Sequence, residues 1–517
     1  MVEATSKLMA AIDIGSSAIR MDIAELGADG KLRLLDSLKK GVQLGRDVFT
    51  EGVLSEESIR AACAVLQDYK KVLDSYGIDR YRAVATSAVR ESSNADGFLD
   101  RVLMSTGLDV EIIDGPEENR LTLQAVQGSL REALPMEKGL TVLVEVGGGS
   151  ADVTLLNEQE PVQSGTFPLG AIRLRAGVSM EAVGHDRQIR LLTREISNIV
   201  TTVRRAISLK EAANFIAVGG DIRFAARILG GPEGKRGPYV IPREEFEEFV
   251  GRVAQLNAEK LVQNYNLSYL DAETLVPALL TYMLLLQQTA ARQVIVTDAN
   301  IRAGILQDLT PAEESERLTK LTHQILSAAR SMGRKYQFDE GHAERVVRLA
   351  ELIFDELKSE QRLNPNHRLY LQVAALLHDV GLFVNSQAHH KHSYYLISQT
   401  DIFGLRPRER EIAAQVARYH RRALPQRTHL PYIALDRDDR MLVSKLAAIL
   451  RVANALDKEH LQKLSDMQVS REGDQVVLST SCRSDLTMER MALASRSDLF
   501  REVFGKRIIL REDGATP

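Results

Sequence analysis

Two stretches of the chain share one pattern of apolar and polar positions. The first reads Ala11-Ile12-Asp13-Ile14-Gly15-Ser16-Ser17-Ala18-Ile19-Arg20-Met21-Asp22-Ile23-Ala24. The second reads Leu143-Val144-Glu145-Val146-Gly147-Gly148-Gly149-Ser150-Ala151-Asp152-Val153-Thr154-Leu155-Leu156. In each, an apolar strand carries an acid near its end, a Gly/Ser turn follows, and a second strand leaves, which predicts a hairpin. Further strands are expected at 32–38 and 40–44. Ser55 is a natural N-cap, with Glu56 and Glu57 in the first turn of a helix running to Tyr76. A strand at 82–86, a helix at 94–105 and a strand at 109–113 follow, and Gly115-Pro116 opens a helix carrying Glu117, Glu118 and Arg120.

The pattern restarts near Gly139, with a helix at 187–208 and a strand at 215–218 that leads into Gly219-Gly220-Asp221-Ile222-Arg223. Residues 229–240 are rich in Gly, Pro and charge and read as a surface loop. A strand at 293–297 leads into Asp298-Ala299-Asn300-Ile301-Arg302. This alternation of strand and helix is α/β. From about 312 to 465 the apolar spacing becomes helical, as at Val346, Val347, Ala350, Ile353 and Leu357. The last stretch returns to strands at 466–469 and 475–479, a helix at 497–504 and a strand at 507–510.

A length of 517 residues calls for several cores, and a net charge of −4 gives no overall sign of duplex nucleic-acid or membrane binding. Two cysteines far apart, Cys63 and Cys482, argue against a disulfide framework. The first strand begins within about ten residues of Met1, so no signal peptide is expected. The longest apolar run, 276–286, contains Pro277 and is short for a bilayer span. A cytoplasmic location is the expectation.

The chemistry lies in the glycine turns. Glycine lets backbone approach a ligand closely, and consecutive amides can converge on one anion. A carboxylate beside such a turn can hold a metal ion directly or through water. Two turns facing each other would grip a chain of phosphates from both sides.

The segments Asp13-Ile14-Gly15-Ser16-Ser17, Ala85-Thr86-Ser87-Ala88-Val89-Arg90, Glu111-Ile112-Ile113-Asp114-Gly115-Pro116-Glu117-Glu118-Asn119-Arg120, Val146-Gly147-Gly148-Gly149-Ser150 and Leu169-Gly170-Ala171-Ile172-Arg173 occur in this order. In them the chain resembles the exopolyphosphatase/guanosine pentaphosphate phosphohydrolase (Ppx/GppA) family. The resemblance implies two actin-like (ribonuclease H-like) domains, 1–128 and 129–310, a helical HD-type domain, 311–465, and a small α+β domain, 466–517. It implies hydrolysis of a terminal phosphoanhydride in inorganic polyphosphate or guanosine pentaphosphate, with Glu118 orienting or deprotonating water. Gly15, Ser16, Ser17, Arg20, Arg90, Gly147, Gly148, Gly149 and Ser150 would bind phosphate. Asp13, Glu145 and Asp152 would hold Mg²⁺, with Mn²⁺ as the alternative, and a homodimer is expected. The chain departs from the family in three places. Ser17-Ala18 replaces the usual Asn-Ser, and Glu145 and Asp152 exchange the usual Asp and Glu, which predicts altered metal geometry, rate or substrate preference.

Of the 11 histidines, most fall between 342 and 460. His342, His378-Asp379 and Asp457 resemble the ligand set of the HD metal-dependent phosphohydrolase superfamily, and His389, His390, His392 and His420 are further matches. The resemblance implies a second divalent metal there. Arg418, Arg421, Arg422 and Arg427 suggest a polyanion path beside it. Two other functions are consistent with these residues: a low-turnover sensor of polyphosphate or alarmone, and a separate nucleotide phosphohydrolase in the HD-type domain.

Overall fold

The computed structural model describes residues 7–130, 139–177, 184–230, 238–310, 314–421, 423–464, 466–482 and 484–512. The chain divides into two compact units, Met1–Thr319 and Lys320–Pro517.

The first unit is built on two sheets. Strands β1 (Lys7–Ile14), β2 (Ala18–Leu26), β3 (Leu32–Gly41), β4 (Tyr81–Ala85) and β5 (Val110–Ile112) form one sheet in the order β3-β2-β1-β4-β5. Strands β6 (Leu140–Val146), β7 (Ala151–Asn157), β8 (Glu160–Phe167), β9 (Asn214–Val218), β10 (Tyr239–Pro242) and β11 (Gln293–Thr297) form the other, in the order β10-β11-β9-β6-β7-β8. Both repeat one arrangement: an antiparallel hairpin whose first strand also pairs in parallel with the strand that follows a third strand and two helices. Register puts Asp13 opposite Arg20 in β1/β2, and Glu145 opposite Asp152 in β6/β7. Asp13 and Glu145 therefore sit one residue before the end of the first strand in each hairpin.

Each sheet has its own apolar core. Ile12, Ile14, Ile19, Leu66 and Phe98 belong to the first; Val144, Phe215, Phe246, Leu279 and Tyr282 belong to the second. The helix Tyr269–Leu286 is long and apolar enough by composition to cross a membrane, and 61% of it is buried within the second core. Ser55 caps the helix Glu56–Tyr76 by accepting from Ser58 N, as the sequence predicts. The expected strand at 40–44 is instead the end of β3 and the start of a helix, Leu44–Glu51. Tertiary pairing decides this: Val42 N donates to Ser17 O at 3.0 Å and Gly45 N to Ser16 O at 2.9 Å, so the first glycine turn bends the chain into a helix. Two short helices, Ser87–Glu91 and Thr487–Arg496, are also absent from the sequence reading. In the expected loop 229–240, residues 231–237 lie outside the described set, and the end of it forms β10.

The second unit begins as helices: Glu340–Leu357, Pro365–Leu377, His389–Gln399, Pro407–Arg418 and Arg437–Ala455 are the longest after the helix ending at Lys335. A 3₁₀ turn, Val380–Phe383, follows the apolar helix Pro365–Leu377 and carries the chain past His378-Asp379. Strands β12 (Gln468–Glu472), β13 (Gln475–Thr480) and β14 (Arg507–Glu512) close the unit as a three-stranded sheet.

A Cβ at Gly170 would overlap the Gly149 carbonyl carbon and the Ser150 amide, both backbone atoms that cannot swing aside. Gly97, in the helix Ala95–Thr106, faces open space. Gly170→Ala should therefore lower unfolding free energy in a urea titration by about 1–3 kcal/mol, whereas Gly97→Ala should raise it by roughly 0.5–1 kcal/mol.

Candidate active site

The two glycine turns pack against each other. A Cβ on Gly148 would lie 2.9 Å from Ser16 Cβ, and one on Gly149 would lie 2.9 Å from Ser87 Cβ, so both positions exclude a side chain. Ser16 Oγ and Ser87 Oγ are 3.1 Å apart. Gly15 N and Gly147 N close their own turns on Ala18 O and Ser150 O, at 3.1 and 2.9 Å. The amides of Ser16, Ser17, Gly148 and Gly149 make no backbone hydrogen bond among the described residues. Such turn amides form an anion-binding concavity.

Four carboxylates surround the turns: Asp13, Glu118, Glu145 and Asp152. Burial pushes all four up, and their charges act on one another. Glu118, at the start of the helix Gly115–Leu130, is 15% exposed and pushed up to about 7 by desolvation. Arg90 opposes that shift, while Glu145 and Asp13 add to it. Arg90 Nη1 donates to Glu118 Oε2 at 3.3 Å and to Ile113 O at 2.7 Å, which pins the guanidinium beside the acid. The preceding glutamate does something different. Glu117 binds Arg120 and Arg82, and Arg120 also reaches Asp308, so it belongs to a buried ionic brace.

The exchanged acids have matching partners. Thr122 Oγ1, one helical turn beyond Glu118, donates to Glu145 Oε2 at 2.5 Å. Thr166 Oγ1 donates to Asp152 Oδ1 at 2.6 Å, with Asn119 Nδ2 at 3.4 Å from the same oxygen. Asp13 is offset by Arg20 and Arg302, each with Nη1 3.6 Å from Oδ2. Asp13, Glu145 and Asp152 offer a hard divalent ion an all-oxygen, buried, negatively charged setting, which suits Mg²⁺. Among the described residues, two clusters hold three His or carboxylate donor atoms within 4.8 Å of one another, and neither contains these acids, so they suit an ion that keeps part of its water shell.

Several residues of this site carry no role in the sequence reading. Arg302 and Arg223 each follow a strand-to-helix turn, as Arg90 does, and that shared position is the signal that could have found them. Tyr282 has no local signal. Its hydroxyl accepts from Val146 N at 3.0 Å and donates to Val218 O, tying the ends of β6 and β9 beneath the second turn. Arg173 braces the third glycine, with Nε donating to Gly149 O at 2.6 Å and the guanidinium 4.1 Å above Phe49.

In the helical unit the structure brings His342, His378, Asp379, His389, His420 and His460 together. Ser393 holds the His378-Asp379 turn: its Oγ donates to His378 O at 2.6 Å and accepts from Gly381 N at 2.9 Å. Asp457 stands behind His342, with Oδ2 2.7 Å from His342 Nδ1 and Oδ1 accepting from Gln462 N at 2.7 Å. His390 and His392 belong to neither three-donor cluster. Arg418 lies over the Tyr394 and Tyr419 rings, at 5.4 and 5.7 Å. Arg422 lies outside the described residues.

Comparison with known proteins agrees with this architecture. The family model described as the Ppx/GppA phosphatase family matches residues 23–313, and that of Ppx/GppA phosphatase domain III matches residues 326–500. A Ppx/GppA family member from Aquifex aeolicus is 24% identical with a TM-score of 0.50, over 61% of this chain and 99% of that one. An exopolyphosphatase from Cytophaga hutchinsonii is 22% identical with a TM-score of 0.54, over 59% of this chain and 98% of that one. Both likenesses show the fold, including the actin-like domains.

The raised affinity of Glu118 for its proton has a consequence for stability. The folded chain keeps that proton up to about 7, whereas an unfolded glutamate releases it near 4.5. The folded state thus binds more protons between these values, and stability falls as pH rises through them. Glu118→Gln removes this loss. In metal-free thermal melts the variant should be more stable than the native chain above about pH 7, and the difference should vanish below about 4.5.

Proposed function

Because the chain belongs to the Ppx/GppA phosphatase family, we propose that the glycine-turn site releases orthophosphate from the terminal phosphoanhydride of inorganic polyphosphate, guanosine pentaphosphate or both. One observation carries the reading. Glu118 is a buried carboxyl held near neutrality, beside Arg90 and the paired turns. A base with a proton affinity near the working pH is the form that water activation favours.

The roles follow from the chemistry of each group. The turn amides of Ser16, Ser17, Gly148 and Gly149, with the Ser16 and Ser150 hydroxyls, would cradle non-bridging phosphate oxygens. Arg90 would hold the terminal phosphoryl group through its planar fork, opposite Glu118. Glu118 Oε2 would take the proton of the attacking water, and phosphoryl transfer asks little more of the protein than alignment and charge stabilisation. Asp13, Glu145 and Asp152 would hold Mg²⁺, partly through water, and a bound divalent ion supplies charge neutralisation on the phosphates. In the helical unit, we read His342, His378 and Asp379 as an HD-type metal site, with Asp457 holding His342 through its Nδ1.

The test is multiple-turnover phosphate release from polyphosphate and from guanosine pentaphosphate, with Mg²⁺ and with Mn²⁺. The native chain should turn over at least one substrate, and Glu118→Gln should lower kcat by about 100- to 10,000-fold with little change in KM. Tight binding without turnover would instead identify a sensor. Turnover that survives Glu118→Gln would move the chemistry elsewhere.

A further inference from the structure

The segment Leu169-Gly170-Ala171-Ile172-Arg173 takes no part in the proposed chemistry, yet it holds the second glycine turn from behind. Ala171 N donates to Gly147 O at 3.0 Å and Ile172 N to Gly148 O at 2.9 Å, with Arg173 N at 3.2 Å from the same oxygen. Arg173 Nε donates to Gly149 O at 2.6 Å. Three successive carbonyls are thus drawn toward one segment. Across a trans peptide the next N–H points the opposite way, and no cis peptide occurs among the described residues. The amides of Gly148, Gly149 and Ser150 therefore face away from the groups that hold the carbonyls.

The same guanidinium reaches the other half of the unit at two points. It lies 4.1 Å above the ring of Phe49, in the helix Leu44–Glu51. That helix begins where Val42 N and Gly45 N take the carbonyls of Ser17 and Ser16, so it stands behind the first turn as Ala171–Gly177 stands behind the second. Arg173 Nη2 also donates to Glu91 Oε1 and Oε2, at 2.7 and 2.6 Å. Glu91 directly follows Arg90 at the end of the helix Ser87–Glu91. One side chain thus joins the second turn, the support of the first turn and the helix that carries Arg90. A planar fork of fixed donors can make these directional contacts together, which a single ammonium cannot.

We propose that Arg173 is a positioning residue for phosphoanhydride hydrolysis, tying the aim of the second turn's amides to the placement of Arg90 without touching the substrate. The proposal rests on the hydrolase reading and deepens it. The Arg173 and Glu91 side chains are 26% and 42% exposed, and ion pairs so open to water contribute little to folding stability. Their role is therefore separable from stability. A second ion pair gives the comparison: Lys39 Nζ, on β3, lies 3.2 Å from Asp271 Oδ1, on the helix Tyr269–Leu286. It also joins the two halves, but it makes no hydrogen bond to either turn among the described residues.

The experiment uses the full chain and inorganic tripolyphosphate with Mg²⁺. Arg173→Met should raise KM about tenfold and lower kcat by a similar factor, with the urea midpoint unchanged. Loss of a purely structural residue would instead move the midpoint, or cut kcat at constant KM by leaving fewer active molecules. Arg173→Lys should not rescue, because one ammonium cannot serve Gly149 O and both Glu91 oxygens. Glu91→Gln should lower kcat, and combining it with Arg173→Met should add little, as expected for partners in one contact. Lys39→Met should leave both constants native. Hydrogen exchange supplies a readout free of turnover: the Ala171 and Ile172 amides, bonded to the turn's carbonyls, should exchange faster in Arg173→Met than in the native chain or Lys39→Met. Native constants in Arg173→Met, full rescue by Arg173→Lys, additive losses from Arg173 and Glu91, or an equal loss in Lys39→Met would overturn the proposal. If the native chain releases no phosphate, the hydrolase reading fails, while the exchange rates still decide whether Arg173 holds the turn.

Discussion

Everything at the candidate active site depends on how closely two backbone turns approach. Gly148 against Ser16, Gly149 against Ser87, and Gly170 against the Gly149–Ser150 peptide leave no room for a Cβ. Because the turns close in this way, the acids that precede and follow them in the hairpins are drawn into one poorly hydrated space. Desolvation and mutual repulsion then raise all four carboxyl groups, with Arg90, Arg20, Arg302 and Arg223 offsetting part of the charge. The crowding is electrostatic, and in the proposed function a cation at the acids and an anion at the turn amides would relieve it.

The hairpins, their acids and the helix that carries Glu118 were legible because each is a local pattern: an alternating apolar strand, a glycine turn, a proline-opened helix. Glu118 and Glu117 illustrate the limit. Adjacent in sequence and equal in type, they separate only through tertiary partners, since Arg82 and Arg120 claim Glu117 while Arg90 meets Glu118. The helix Leu44–Glu51 was hidden for a similar reason, because carbonyls of the distant turn at Ser16 and Ser17 take its leading amides. Tyr282 tied to Val146 and Val218 could not be read at all, as a tyrosine in an apolar helix carries no sign of what its hydroxyl will meet. The exchange of acid lengths at Glu145 and Asp152 was visible in sequence, but their hydroxyl partners, Thr122 and Thr166, required the fold.

The two units gather charge by different chemistry. The first relies on carboxylates, amides and guanidinium groups, all hard partners for phosphate and for an oxygen-loving ion. The second relies on imidazoles whose protons are fixed on the side away from a shared carboxylate. Here too the local pattern marked His378-Asp379, while the geometry decided which of the other histidines lie beside that pair. Asp457 matched the resembled motif, and its oxygens are occupied by His342 and the Gln462 amide.

The most direct test of the central claim is the titration of the Glu118 carboxyl itself, followed by ¹³C NMR in metal-free protein labelled at glutamate Cδ and assigned by its loss in Glu118→Gln. Enclosure by the paired turns predicts a midpoint near 7 in the native chain and a lower one in Asp13→Asn, where a neighbouring charge is gone. A midpoint at the ordinary glutamate value of 4.5 in both proteins would contradict the account.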